Sequence, residues 1–201
     1  MQNNSRRADV HEALRRGTAE LHQLLETRMD IAGRLGSVTS YRDLLQRFLG
    51  VLDPLEAQVS TFSWPPALQV EARRKAPLIR ADLRVLGCEC EAYHTLGAPD
   101  PVKLPCQAAA FGCLYVLEGS TLGGRLILKQ VQDALGFNAG HGACFFAGYG
   151  GQTGAMWTSF LEVLGGTVTS REAVGAALCG ARETFSAMDR FINGGADPRK
   201  L

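Results

Sequence analysis

The chain has 201 residues, 46% of them hydrophobic and 20% charged, and 21 basic against 20 acidic side chains leave a formal charge of +1. That length and apolar share are enough for one domain with a sizeable core, and the even balance sets up no global field toward nucleic acid or an anionic membrane. The opening Met1-Gln2-Asn3-Asn4-Ser5-Arg6-Arg7 is polar, unlike a signal peptide, and no segment reaches the ~18 uninterrupted apolar residues of a spanning helix. The reading is a cytoplasmic protein with no membrane span. Its six cysteines, Cys88, Cys90, Cys106, Cys113, Cys144 and Cys179, are then expected as reduced thiols in or near the core.

The pattern is helical nearly throughout. Val10, Ala13, Leu14, Leu21, Leu24, Leu25 and Met29 recur at helical spacing. A turn at Gly33 to Gly36 follows, and Ser40 with Asp43 three residues on resembles an N-cap. Leu44, Leu45, Phe48, Leu49, Leu52, Leu55 and Val59 carry that helix forward, with a bend expected at Pro54. After the break at Trp64-Pro65-Pro66, a third helix is expected over about 67–86 with a kink at Pro77. The proline-rich stretch Gly97 to Pro105 is a loop. A long helix runs over about 106–135, a glycine-rich irregular stretch over 136–154, and two further helices over about 155–164 and 170–192, the last opened by Thr169 and Glu172 at capping-box spacing. No alternating strand pattern, repeat or low-complexity linker interrupts this. The expectation is one all-α domain over 1–201, with 1–7 and 194–201 flexible.

The long helix contains an anomaly. Tyr115-Val116-Leu117-Glu118-Gly119-Ser120-Thr121-Leu122-Gly123-Gly124-Arg125 is apolar on both flanks yet holds three glycines, each costing about 1 kcal/mol in a helix interior relative to alanine. Gly119 and Gly123 share one face, and Gly124 widens the bare strip. A strip of exposed backbone suits the close approach of something flat or bulky. It also suits tight helix–helix packing.

The chain has four histidines, His11, His22, His94 and His141, so a metal or haem ligand comes from these, from a cysteine or from carboxylates. His11 and His22 are eleven apart on nearly the same face of the first helix. His22 lies well inside it, among Leu21, Leu24 and Leu25. Glu26, four residues on, can accept a hydrogen bond from the imidazole and fix its tautomer and orientation. An ordinary half-buried histidine beside a surface glutamate reads the same way.

Other motifs are weaker. Cys88-Glu89-Cys90 near His94 is half a zinc site without a second half. Glu91-x-x-His94 has di-iron spacing without the second copy and facing glutamates that such a site needs. Gly148 to Gly154 has the glycines of a phosphate loop without its strand or Lys-Ser ending. Arg73, Arg80 and Arg84 on one face of the third helix read as a solvated stripe, or as a dock for an acidic electron donor.

Taken together, Thr18-x-x-x-His22-x-x-x-Glu26 and the Gly119–Gly124 strip resemble the haem oxygenases. The wording Leu-Tyr-Val-Leu-Glu-Gly-Ser-Thr-Leu-Gly-Gly is most like the bacterial branch associated with bacteriophytochromes. Phe145-Phe146, the helix with Trp157 and Phe160, and Ala181-Arg182-Glu183-Thr184-Phe185 extend the likeness over about 8–192. The resemblance implies a helical bundle with a kinked, glycine-rich distal helix. It implies conversion of haem b, at once substrate and prosthetic group, to biliverdin, iron and carbon monoxide with O2. Electrons come from an external ferredoxin or reductase, since no flavin or nicotinamide motif is present. A bacteriophytochrome is the implied recipient of the biliverdin.

Residue by residue, the resemblance makes His22 the axial iron ligand and Glu26 its orienting partner. Gly119, Ser120, Gly123 and Gly124 shape the oxygen side, Arg15 steadies a haem propionate, and Phe185 packs on the haem. Two departures stand out. Animal members carry an aspartate after the first distal glycine; here Ser120 holds that place, and both Glu118 and Ser120 are candidate substitutes. The basic pair expected around Trp157 is missing from Met156-Trp157-Thr158-Ser159-Phe160. The alternative reading is a haem carrier or sensor that keeps the fold without turnover.

Overall fold

The computed structural model describes residues 2–88 and 102–194, with side chains from Asp9 onward. Eight α-helices carry the described chain: α1 (Gln2–Met29), α2 (Ile31–Arg34), α3 (Val38–Ser60), α4 (Ala76–Val85), α5 (Gln107–Leu135), α6 (Cys144–Ala147), α7 (Thr153–Thr167) and α8 (Arg171–Asn193). No strand occurs among the described residues. Helix α1 begins inside the stretch 1–7 expected to be flexible, and 195–201 lie outside the described residues.

Helix α8 is the spine, and α5 and α1 make their most extensive contacts with it. Two glycines bring α5 and α8 together. A Cβ on Gly112 would run into the Ala177 carbonyl, and one on Gly180 into the Ala109 carbonyl, so each backbone sits in a notch of the other. Val10, Leu14 and Leu25 of α1 and Leu44, Leu45, Leu49 and Leu52 of α3 enter the core at helical spacing. Phe111 meets Trp64 edge-on at 4.8 Å.

The structure corrects several element boundaries. Ser37, not Ser40, caps α3. Ser37 Oγ accepts from the Ser40 amide and Ser40 Oγ accepts from the Ser37 amide, both at 3.1 Å, which makes Ser40 the third residue of a reciprocal box. Asp43 instead accepts from Arg34 and Arg47, both at 2.8 Å. Helix α3 continues through Pro54.

The expected third helix is half its length. Residues 66–73 form two 3-10 turns joined at Gln69 in the left-handed region (φ 51°), and α4 starts only at Ala76. Pro77 opens α4 instead of kinking it, because its missing N–H falls among the donors a first turn leaves unpaired. Glu56 of α3 accepts from the amides of Lys75 (2.5 Å) and Ala76 (3.3 Å) at that start. Burial raises the Glu56 pKa above the usual carboxylate range. Asp82 of α4 in turn accepts from the amides of Cys144 and Phe145, both at 2.8 Å, fixing α6. Ser170 caps α8, one residue after the expected Thr169.

Five described cysteines are free thiols. Cys88 and Cys113 are in the core and Cys144 is half-buried, but Cys106 and Cys179 are exposed. Burial pushes the Cys113 thiol up to about 12. Glu89, Cys90, Glu91, His94 and most of the Gly97–Pro105 loop lie outside the described residues. Among the described ones no three His, Cys, Asp or Glu side chains cluster as metal ligands, and no helix is long and apolar enough to cross a membrane.

Candidate functional site

Helices α1 and α5 both rest on α8 and approach each other little beyond one end, where His11 meets Tyr115 with ring centroids 6.0 Å apart. Trp157 of α7 closes that end, 5.8 Å from His11 and 5.5 Å from Tyr115. His11 is therefore half-buried under α5 and α7. His22, three turns further along nearly the same face, is past that cover, and its side chain is 55% exposed.

His22 projects from a stretch of α1 pinned on both sides. Before it, Arg182 of α8 donates from Nε to the Gly17 carbonyl at 2.8 Å; after it, Arg28 pairs with the buried Asp189 of α8 at 2.6 Å. Thr18 is buried, its hydroxyl donating to the Leu14 carbonyl at 2.8 Å. The His22 ring stands edge-on to Phe185 of α8, centroids 5.7 Å apart at 87°. Glu26 Oε1 lies 3.6 Å from His22 Nε2, too long for a hydrogen bond but within a small rotamer change of one. The structure thus brings His22, Glu26 and Phe185 together. His141 is exposed in the turn after α5, where it exchanges two backbone hydrogen bonds with Asn138.

On α5 the three glycines differ. A Cβ on Gly123 would have no atom within 4 Å, and one on Gly119 would meet only the Trp157 ring edge at 3.9 Å. Leu122 and Leu126 lie on the same face by helical spacing and are 47% and 66% exposed. Gly124 points elsewhere: a Cβ there would lie 2.6 Å from the Phe146 carbonyl oxygen, so its bareness serves the packing of α6 on α5. Gly124→Ala is expected to cost about 1–3 kcal/mol through overpacking, read as a fall in Tm, whereas Gly123→Ala should leave Tm level or raise it.

The two candidates for the missing aspartate separate. Ser120 is exposed, and its hydroxyl donates to the Leu117 carbonyl at 2.8 Å. Glu118 is buried and fully engaged. Its Oε2 accepts from Arg73, and its Oε1 accepts from Lys75 Nζ at 2.6 Å and from the Tyr149 hydroxyl at 2.7 Å. This removes Arg73 from the expected solvated stripe. It is 3% exposed and precedes α4, while Arg80 of α4 pairs with Asp53 at 2.6 Å. The sequence reading missed this cluster. Its signal was a lone glutamate, Glu118, closing the otherwise apolar run Ala108–Leu117 of α5, opposite a cationic run, Arg73-Arg74-Lys75, just ahead of Pro77.

Arg15 is exposed on α1 and makes a two-pronged contact with Glu12, Nε and Nη2 each 2.9 Å from a carboxylate oxygen. That bond holds the guanidinium firmly protonated and the Glu12 carboxyl below its usual range. Both charges are felt at Tyr115, whose hydroxyl is nonetheless raised, chiefly by burial. Arg15 lies one helical turn after His11, the residue of α1 that meets Tyr115 of α5. The stretch Met156–Phe160 around Trp157 carries no basic residue of its own.

The Heme oxygenase family model matches residues 8–193. A heme oxygenase of Xanthomonas campestris is 33% identical over 150 residues, covering 73% of this chain and 85% of that protein. The structure of the NO- and CO-bound heme oxygenase of Neisseria meningitidis superposes with a TM-score of 0.76 at 25% identity, over 96% of this chain and 98% of that one. Heme oxygenase-1 of Synechocystis, in complex with heme, shares the fold with a TM-score of 0.69 at 16% identity, over 92% and 91% of the two chains. A match running nearly end to end, on an all-helical frame that sets the exposed His22 and a bare glycine strip on helices sharing a floor, places the chain in the heme oxygenase family, as an enzyme that degrades haem to biliverdin.

Proposed function

We propose that His22 is the axial ligand of haem b, that Glu26 orients its ring, and that Gly119, Ser120 and Gly123 form the wall on the oxygen side. The observation that carries this is the pairing of an exposed imidazole on a pinned stretch of α1 with an α5 face where Gly123 has open space and Leu122 and Leu126 are uncovered. A flat, apolar ligand fits that arrangement, since it would bury both leucines. Haem, when bound, supplies the iron at which O2 is activated and is itself the molecule oxidised.

The chain's own residues do the rest. Glu26, 3.6 Å from the imidazole, would accept from one ring nitrogen and so leave the other free to hold the metal. Phe185 limits rotation of that ring. The bare strip admits the macrocycle edge close to the α5 backbone and keeps strong acids and bases away, with Ser120 the nearest hydroxyl and Glu118 held behind the helix. Gly124 assists by letting α6 support α5 from the rear.

Electrons come from an external ferredoxin or reductase, in the cytoplasm, and the biliverdin serves as chromophore of a bacteriophytochrome; the wording of residues 115–125 supports that link. Haem-loaded protein given ferredoxin, its reductase and NADPH should lose its Soret band and yield a green product. A stable spectrum would leave a haem carrier instead. Co-expression with an apo-bacteriophytochrome should give a photochromic holoprotein.

Arg15 holds a propionate in this reading. It sits about 10 Å before His22 along the helix at 1.5 Å per residue, and a guanidinium offers a charge-assisted, two-pronged contact. Because Glu12 already occupies that fork, the propionate must share or displace it. Arg15→Glu should weaken haem binding by roughly tenfold, about 1.4 kcal/mol, and change the biliverdin isomer ratio on chromatography. An unchanged ratio and affinity would make Arg15 a solvated helix charge.

A further inference from the structure

The buried cluster behind α5 marks a mechanical boundary. Every residue from Ala109 to Glu118 is buried, and beyond Glu118 only Gly124 and Val131 of α5 are. Glu118 is thus the last residue the core grips before the glycine strip begins. Its carboxylate gathers distant parts of the chain: Arg73 and Lys75 from the segment ahead of α4, and Tyr149 from the loop after α6. Arg73 extends the reach to α7, donating to the Met156 carbonyl at 3.0 Å and to Ser159 Oγ at 2.9 Å, while its Nε donates to the Leu68 carbonyl at 2.6 Å. Met156 precedes Trp157, the one side chain near Gly119. A single carboxylate therefore fixes both the first glycine of the strip and the aromatic that faces it.

We propose that Glu118 is a positioning residue: with Arg73, Lys75 and Tyr149 it clamps α5 immediately before Gly119, so that residues 119–127 move as haem enters and product leaves while 107–118 stay fixed. The physical reason is an asymmetry along one helix. Moving Glu118 would strand two buried cations and a carboxylate, which is strongly unfavourable. Moving the strip costs little, because glycines hold it and few side chains bury there. The inference rests on the strip being the oxygen-side wall.

Amide hydrogen exchange of the haem-free protein tests it. Glu118→Gln keeps the shape and removes the charge; Tyr149→Phe removes one hydroxyl donor and leaves the ion pairs, so it remains informative if the first variant folds poorly. Exchange over 115–127 should quicken about tenfold in Glu118→Gln and about threefold in Tyr149→Phe, as opening of the strip spreads back past the lost clamp, with 107–112 and 171–193 unchanged. Haem-loaded Tyr149→Phe should also release CO faster. Exchange that quickens evenly through α5 and α8, or does not change over 115–127, overturns the clamp. Because the exchange is measured without haem, its failure is distinct from a failure of the wild-type protein to degrade haem.

Discussion

Replacing His22 with alanine is expected to abolish axial ligation and haem turnover while the haem-free protein keeps its fold. The imidazole is more than half exposed and its one ring contact is the edge of Phe185. Its removal should cost no more than about 0.5 kcal/mol of stability, as for other surface positions. In the proposed reading the bond to iron rests on this side chain alone. Absorption and resonance Raman spectra of the ferrous complex should lose the iron–histidine signal, and added imidazole should restore part of it. His11→Ala should do the reverse. It leaves ligation intact but opens a gap between Tyr115 and Trp157, lowering Tm. A persistent iron–histidine signal in His22→Ala would overturn the assignment.

Gly123→Leu should be the most damaging single change on the α5 side. The position has a helical neighbourhood and no atom within 4 Å of a built Cβ, so the protein itself accommodates the side chain. Helix propensity even favours it, by a few tenths up to about 1 kcal/mol. Tm should therefore hold or rise while turnover falls about a hundredfold, equivalent to ~2.7 kcal/mol of barrier. Single-turnover kinetics with a reductant would measure this. Normal turnover in a stable Gly123→Leu protein would mean that the strip does not face the reaction. Gly124→Ala supplies the contrast, losing stability first.

Helix content and order were legible because the apolar residues keep a 3.6 period over long runs, as at Val10, Leu14 and Leu25 or Leu44 to Val59. Element starts were less so. Ser37 and Ser40 both suit a cap, and only the reciprocal bonds between them show which one is first. The segment before α4 misled because Arg73 and Lys75 are ordinary in a solvated helix. Their burial depends on Glu118, 45 and 43 residues away, a pairing that no local window contains. The glycine strip could be found as an anomaly, but not subdivided. Gly119, Gly123 and Gly124 look alike until the Phe146 carbonyl appears against the last of them. Spacing put Arg15 on the His22 side of α1, but its bond to Glu12 is a competition that spacing alone does not reveal.

The uncovered Leu122 and Leu126 bear on how long the protein survives in a cell. Without haem, α5 presents greasy side chains on a glycine-weakened turn, the kind of surface that proteases and holdase chaperones seize. In the proposed binding mode haem covers them, and at a free haem level a hundred times the dissociation constant the folded state gains ~2.7 kcal/mol. Limited proteolysis with and without haem should show cleavage between 119 and 130 only in the empty protein. On that outcome the supply of substrate would set not just the flux through this enzyme but its half-life, and a haem-starved cell would clear the very catalyst that would deplete its haem further.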